Sequence, residues 1–133
     1  MLSHVMIGIG DFDIAYAFYA ALAAELGLKP VMHHPSVPVA AWGGAEGKRP
    51  NLFIGRPFDK QPMAPGNGGM VAFEATDRAI VDRCHALALA HGGTDEGAPG
   101  LRAYYHPNYY GAYFRDPDGN KLCVVCHSPR ITT

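Results

Sequence analysis

The chain has 133 residues, of which 48% are hydrophobic, 11% aromatic and only 17% charged, and this content predicts a single globular domain rather than a disordered chain. Eleven basic residues against twelve acidic ones leave a net charge of −1, without the Lys/Arg surplus that a nucleic-acid binder needs to displace counterions. Sixteen glycines and eleven prolines disfavour a helical bundle, and no apolar run approaches the ~18 residues of a membrane span.

The opening Met1-Leu2-Ser3-His4-Val5 lacks a basic n-region followed by a long apolar stretch, so no signal peptide is expected. Cys84, Cys123 and Cys126 are an odd count, which predicts free thiols in a reducing cytoplasm. Residues 3–9 alternate and are rich in β-branched side chains, as a strand requires. Asp11 or Asp13 is placed to cap a helix running to about Leu26, with Ile14, Phe18, Leu22 and Leu26 as its apolar face and Gly27 as its stop. Three short strands are expected near residues 29–33, 37–42 and 51–55, kept short by Pro30, Pro35, Pro38 and by Gly43, Gly44 and Gly47. Residues 57–69 read as a loop rich in proline and glycine.

A second strand-and-helix pattern follows. Residues 69–74 read as a strand. Thr76 or Asp77 caps a helix to about His91, with Ile80, Cys84 and Leu87 on one face and Gly92-Gly93 at its end. The remaining strands are expected at residues 102–105, 109–115 and 121–127. The last two are joined by Asp116-Pro117-Asp118-Gly119-Asn120, whose proline and glycine favour a tight turn. His4 and Met70 are 70 − 4 = 66 residues apart, and Gly27 and Gly93 are 93 − 27 = 66 apart. The chain therefore reads as α+β, with two repeated βαβββ modules at about 2–57 and 69–128 joined by a linker at about 58–68. Neither module buries both faces of its own sheet. Two copies packed together would form a cupped, mostly antiparallel sheet whose concave face lines a pocket.

Three segments carry a family likeness: Leu2-Ser3-His4-Val5, Val71-Ala72-Phe73 leading into Arg78-Ala79-Ile80-Val81-Asp82, and Tyr109-Tyr110-Gly111-Ala112-Tyr113-Phe114-Arg115 with the turn after it. In these, and in the paired modules, residues 2–127 resemble the vicinal oxygen chelate superfamily of glyoxalases, bleomycin-resistance proteins and extradiol dioxygenases. The resemblance implies a glyoxalase-like fold and a homodimer. It also implies a divalent-metal site in catalytic members, with a His from the first strand, a carboxylate from the fourth, a His from the fifth and a Glu from the last. Here His4 matches the first position, while Asn51-Leu52-Phe53-Ile54-Gly55 offers no carboxylate or His. Met70 and Cys123 stand at the other two positions. Met is a poor ligand for hard divalent ions, so any metal would rest on a degenerate His4/Cys123 pair.

Cys123 and Cys126 spell C-x-x-C, but on a strand they point to opposite faces and are expected to be inert. The densest chemical signal runs from Arg102 to Phe114 and holds Tyr104, Tyr105, Tyr109, Tyr110 and Tyr113, five of the seven tyrosines. Tyrosine supplies a flat apolar wall with one polar tip, suited to orienting a small organic molecule. Tyr109, Gly111 and Tyr113 share one face of the strand; Tyr110, Ala112 and Phe114 share the other. The candidate ligand-binding residues are accordingly His4, Met70, Cys123, Tyr105, Tyr110, Tyr113 and Arg102, with Trp42 and Arg56 at the rim. His106 is the candidate general acid/base. The favoured expectation is a protein that holds a small organic molecule in the cup without the family's standard metal site. A metal-dependent lyase or dioxygenase using His4 and Cys123 is the alternative, and a ligand-free dimeric module, with the tyrosines as interface, is the third.

Overall fold

The computed structural model describes residues 1–130. The first module runs β1 (His4–Gly8), α1 (Phe12–Leu26), β2 (Lys29–His34), β3 (Val39–Gly43), a 3-10 turn at Ala45–Gly47, and β4 (Asn51–Gly55). The second runs β5 (Val71–Glu74), α2 (Arg78–Ala90), β6 (Thr94–Leu101), β7 (Tyr110–Arg115) and β8 (Lys121–Cys126). Each module makes a four-stranded mixed sheet, ordered β1-β4-β3-β2 and β5-β8-β7-β6. The first strand pairs parallel with the fourth, and the other pairs are antiparallel. A helix must return the chain before a parallel partner is reached, which is why each module opens with strand and helix.

Asp11 and Asp77 cap the two helices, accepting the backbone N–H of Ile14 and Ile80 respectively. Both pairs are 66 residues apart, so the caps repeat along with the strands. The helix stops do not repeat in the same way. Gly27 ends α1 in the left-handed region at φ 77°, a conformation glycine adopts without a Cβ penalty. At the end of α2 the positive φ belongs to Gly92, at 90°. Gly93 is required for space instead: a Cβ there would lie 2.7 Å from the carbonyl oxygens of Ala88 and Arg115.

Alternation along the strands sends one face of each sheet to its helix. Ile7, Leu52, Ile54, Ala40 and Trp42 pack with Ala15, Tyr19 and Leu22 of α1; Ala112, Phe114, Leu122 and Val124 pack with Val81, Cys84 and Ala88 of α2. Ile14, expected on the apolar face of α1, is 52% exposed. The buried stripe runs instead through Ala15, Phe18, Tyr19, Leu22 and Ala23, at the three- and four-residue steps of a helix.

The helices pack on each other and the two cores are continuous. Phe18 of α1 meets Phe114 of β7 edge-to-face at 6.2 Å. Tyr19 donates its hydroxyl to the buried Asp116 carboxylate at 2.5 Å. Asp116 also accepts the backbone N–H groups of Asp118 and Asn120 and the Asn120 side-chain amide. The β7–β8 turn is thus a lock between modules: Asn120 donates to the Gly8 carbonyl, and Gly10 donates to Asp118. Among the described residues no helix is long and apolar enough to cross a membrane.

Candidate functional site

The face of each sheet turned away from its helix is open. On the second sheet the cross-strand register places Tyr113 beside Cys123 and Arg115 beside Lys121. With Tyr109 just before β7 and His127 just after β8, Tyr113, Arg115 and Lys121 line a cavity of about 970 Å³. Met70 and residues 65–69 of the linker also line it. The cavity mouth is completed by Tyr105 and His106 from the connection between β6 and β7.

That connection is a closed loop, whereas residues 102–105 were expected to be a strand. Arg102 donates its backbone N–H to Tyr109, Tyr105 donates to Arg102, and Tyr109 donates to His106. The Arg102 guanidinium donates to the carbonyls of Gly100 and Ala98 and lies 5.6 Å from the Tyr113 ring. It shapes the loop and backs the tyrosine wall. Gly111 has the complementary role: a Cβ there would lie 2.9 Å from the Tyr109 ring. The missing side chain lets that ring lie over the strand, a close approach of the kind glycine marks in strands.

Two hydrogen-bonded groups result. The Tyr109 hydroxyl is 2.8 Å from the Tyr113 hydroxyl and 3.6 Å from Cys123 Sγ. Burial pushes the ionisation of both phenols up, and for Tyr109 the bonds to Tyr113 and Cys123 push the same way. Burial also raises the Cys123 thiol, with the tyrosine hydroxyls opposing. All three groups therefore stay protonated near neutral pH, so Cys123 is not a ready thiolate nucleophile. The second group is His106 and His127, whose rings stack at 5.1 Å with Nε2 of His106 2.8 Å from Nδ1 of His127. The backbone N–H of Asn108 occupies Nδ1 of His106 at 3.1 Å. In the neutral pair the His106 proton then sits on Nε2 and is donated to His127, leaving a His127 Nε2–H. Both nitrogens of His106 are engaged, so it orients His127 and offers no free lone pair.

The candidate residues separate accordingly. Met70, Tyr105, His106 and Tyr113 line the cavity, and Cys123 is fully buried behind Tyr109. Tyr110 faces α2 instead and donates its hydroxyl to Asp82 at 2.6 Å. Trp42, expected at the rim, is 3% exposed and packs against Tyr16 and Tyr19. Its partner in register is the helix-facing Leu52, so alternation carries it to the helix side. Arg56 lines a separate hollow over the first sheet, with Met6, Val37 and Phe58. His4 is exposed on the first sheet, edge-on to Phe53 at 5.4 Å and bonded to the Ser3 hydroxyl.

His4 is on the first sheet and Cys123 on the second, as the family's first and last ligand positions are, but among the described residues no three His, Cys, Asp or Glu side chains converge as metal ligands. The donor set does not fit the metal site that the family resemblance implied. Lys121, Arg115, Tyr109 and His127 enter the cavity although none was singled out for it. Stepping back by two from His127 through Val125 and Cys123 reaches Lys121, so the alternation itself carried that signal.

Over residues 1–124 the sequence matches the family model described as the Glyoxalase/Bleomycin resistance protein/Dioxygenase superfamily. Among solved structures the chain is similar to a glyoxalase/bleomycin resistance protein from Albidiferax ferrireducens T118, at 35% identity and a TM-score of 0.80, with 96% of this chain and 98% of that chain covered. It is similar to a lactoylglutathione lyase from Agrobacterium tumefaciens at 25% identity and a TM-score of 0.61, over 95% and 92% of the two chains. A family enzyme from Burkholderia phytofirmans PsJN shares the fold at 20% identity and a TM-score of 0.70, over 95% and 98%. No curated protein matches the chain.

Proposed function

Because the chain belongs to the glyoxalase/bleomycin resistance protein/dioxygenase superfamily, we propose that it holds a small organic molecule on the open face of the β5–β8 sheet without the family's standard metal site. The observation that carries this reading is the cavity of about 970 Å³, lined by Tyr105, Tyr109, Tyr113 and Met70, with no converging set of metal ligands among the described residues. Its size suits a drug-sized or smaller ligand, and its flat rings with a few polar tips suit orientation by stacking and hydrogen bonding. Fold alone assigns no chemistry within so varied a family; the donor set supports binding over metal-assisted catalysis.

A partner and a location complete the proposal. The open face of the first sheet carries Met6, Val37 and Phe58 at 57%, 69% and 104% exposure around a hollow, and a second copy of the chain covers it in a homodimer. The three cysteines are unpaired, which supports residence in a reducing cytoplasm.

The test joins elemental analysis of untreated protein to a binding titration. We expect divalent metal well below one per chain and saturable quenching of tyrosine emission by small aromatics or thiol conjugates. About one metal ion per chain, lost in His4→Ala, contradicts the reading in favour of the metal-dependent alternative. Light scattering tests the dimer: a dimer mass is expected for the native chain and a monomer mass for Phe58→Asp, and a monomeric native chain contradicts it.

A further inference from the structure

The charges in the cavity are one-sided. Its lining includes Lys121, Arg115, His106 and His127 and no Asp or Glu. Arg115 is already compensated: its Nε donates to Glu96 at 2.6 Å and its Nη1 to the Gly119 carbonyl at 2.7 Å. Lys121 is not. Among the described residues no carboxylate lies within ion-pair distance of it, and its ammonium sits 5.7 Å from the centre of the Tyr113 ring. A half-buried cation facing a concave surface without a countercharge raises the local concentration of anions.

The other polar groups point to the same chemistry. His127 keeps an Nε2–H after His106 has satisfied its Nδ1. The hydroxyl chain can run from the Cys123 S–H through Tyr109 to Tyr113, in which order the last O–H points on toward the Tyr105 hydroxyl at the cavity lining. An ammonium, an imidazole N–H and a phenol O–H are donors, and the surface around them is aromatic.

Resting on the reading of this cavity as a ligand site, we propose that its ligand class is the planar organic monoanion, a small aromatic carboxylate, with the carboxylate at Lys121 and the ring against Tyr109 and Tyr113. Charge-assisted bonds to a carboxylate are stronger than those to a neutral isostere, so discrimination between the two is the readout. Benzoate, benzamide and benzylamine are near-isosteric probes of negative, zero and positive charge.

The experiment titrates each probe into the full-length protein by tyrosine fluorescence and calorimetry at neutral pH, at low and high salt. Benzoate is expected to bind at least tenfold more tightly than benzamide, with the difference shrinking in high salt, and benzylamine to bind least. Lys121→Gln is expected to bring benzoate down to the benzamide level, while Lys121→Arg keeps the preference. Lys121 makes no ion pair, so both variants are expected to unfold at the native midpoint. Saturable benzamide binding as tight as that of benzoate, or an unchanged preference in Lys121→Gln, overturns the inference and leaves the ligand cavity standing. Failure of all three probes to bind saturably overturns the cavity reading and the inference with it.

Discussion

The two modules share a frame and differ on one face. Register makes the comparison residue by residue. Val5 and Trp42 both flank Leu52, as Val71 and Phe114 flank Leu122, so Trp42 and Phe114 are equivalent, and Ala40 matches Ala112. On the helix side every such pair is apolar in both modules. On the open side Asn51, Phe53 and Ala41 of the first module correspond to Lys121, Cys123 and Tyr113 of the second. The helix-facing layer must fill a close-packed interior, and each large ring lost from it leaves a void. The open layer has no such obligation. It carries exposed Met6 and His4 with Asn51 and Phe53 on one sheet and a donor-rich aromatic cavity on the other.

The largest effect that would break this comparison is in the shared core. Phe114→Ala and Trp42→Ala are each expected to lower stability by about 3–5 kcal/mol, read from denaturant midpoints. Tyr113→Phe on the open face should change stability by less than about 1 kcal/mol. Comparable losses at Tyr113 and Phe114 would contradict the division between layers.

A pH effect comes next and separates the two helices. Cys84 and Phe18 are 66 residues apart, both fully buried at equivalent positions, but only the thiol titrates. Burial pushes Cys84 up from 9.0 to about 12. Above pH 9 the unfolded thiol ionises while the folded one keeps its proton, so the unfolded state binds fewer protons and stability falls as pH rises. The contribution is complete below pH 9 and is lost toward 12, at on the order of 1.4 kcal/mol per pH unit. Urea midpoints measured between pH 8 and 10 should fall in the native chain and fall less in Cys84→Ala. An identical slope in the two proteins would remove Cys84 from the account.

The caps give the smallest effect and sharpen the likeness. Asp11→Ala and Asp77→Ala each remove one side-chain acceptor from the first turn of a helix, and each is expected to cost about 1 kcal/mol. Calorimetric melting of the two variants should give similar shifts. A shift several times larger for one of them would mean that the modules contribute unequally to the same folding transition.

Much of the frame was legible because it is local. The Asp caps, the strand alternation and the 66-residue offset need only sequence spacing. β6 was missed because Thr94-Asp95-Glu96-Gly97-Ala98-Pro99-Gly100-Leu101 has the composition of a loop. It is an edge strand, irregular between Asp95 and Gly97 and between Gly97 and Gly100, where proline and charge are tolerated. The site was legible only in part. Met70 came from the family likeness, and alternation separated Tyr113 from Tyr110 without telling which of the two faces lines the cavity. Trp42 was misplaced although the Ala40-Ala41-Trp42 alternation puts it with Ala40 on the helix side. The closure of Arg102 onto Ala98 and Gly100, which turns Tyr105 and His106 to the cavity mouth, depends on the fold of a loop and has no periodic signature.

The central claim is that the molecule binds its ligand on the open face of the second sheet and not the first. Amide chemical-shift mapping of the labelled protein with a panel of small aromatic probes, benzoate, benzamide and indole, tests it most directly. The account predicts shifts concentrated in β7, β8 and residues 65–70 and 105–109, with β1, β3 and β4 unmoved. Shifts centred on His4, Met6 and Phe53, or none with any probe, would contradict it.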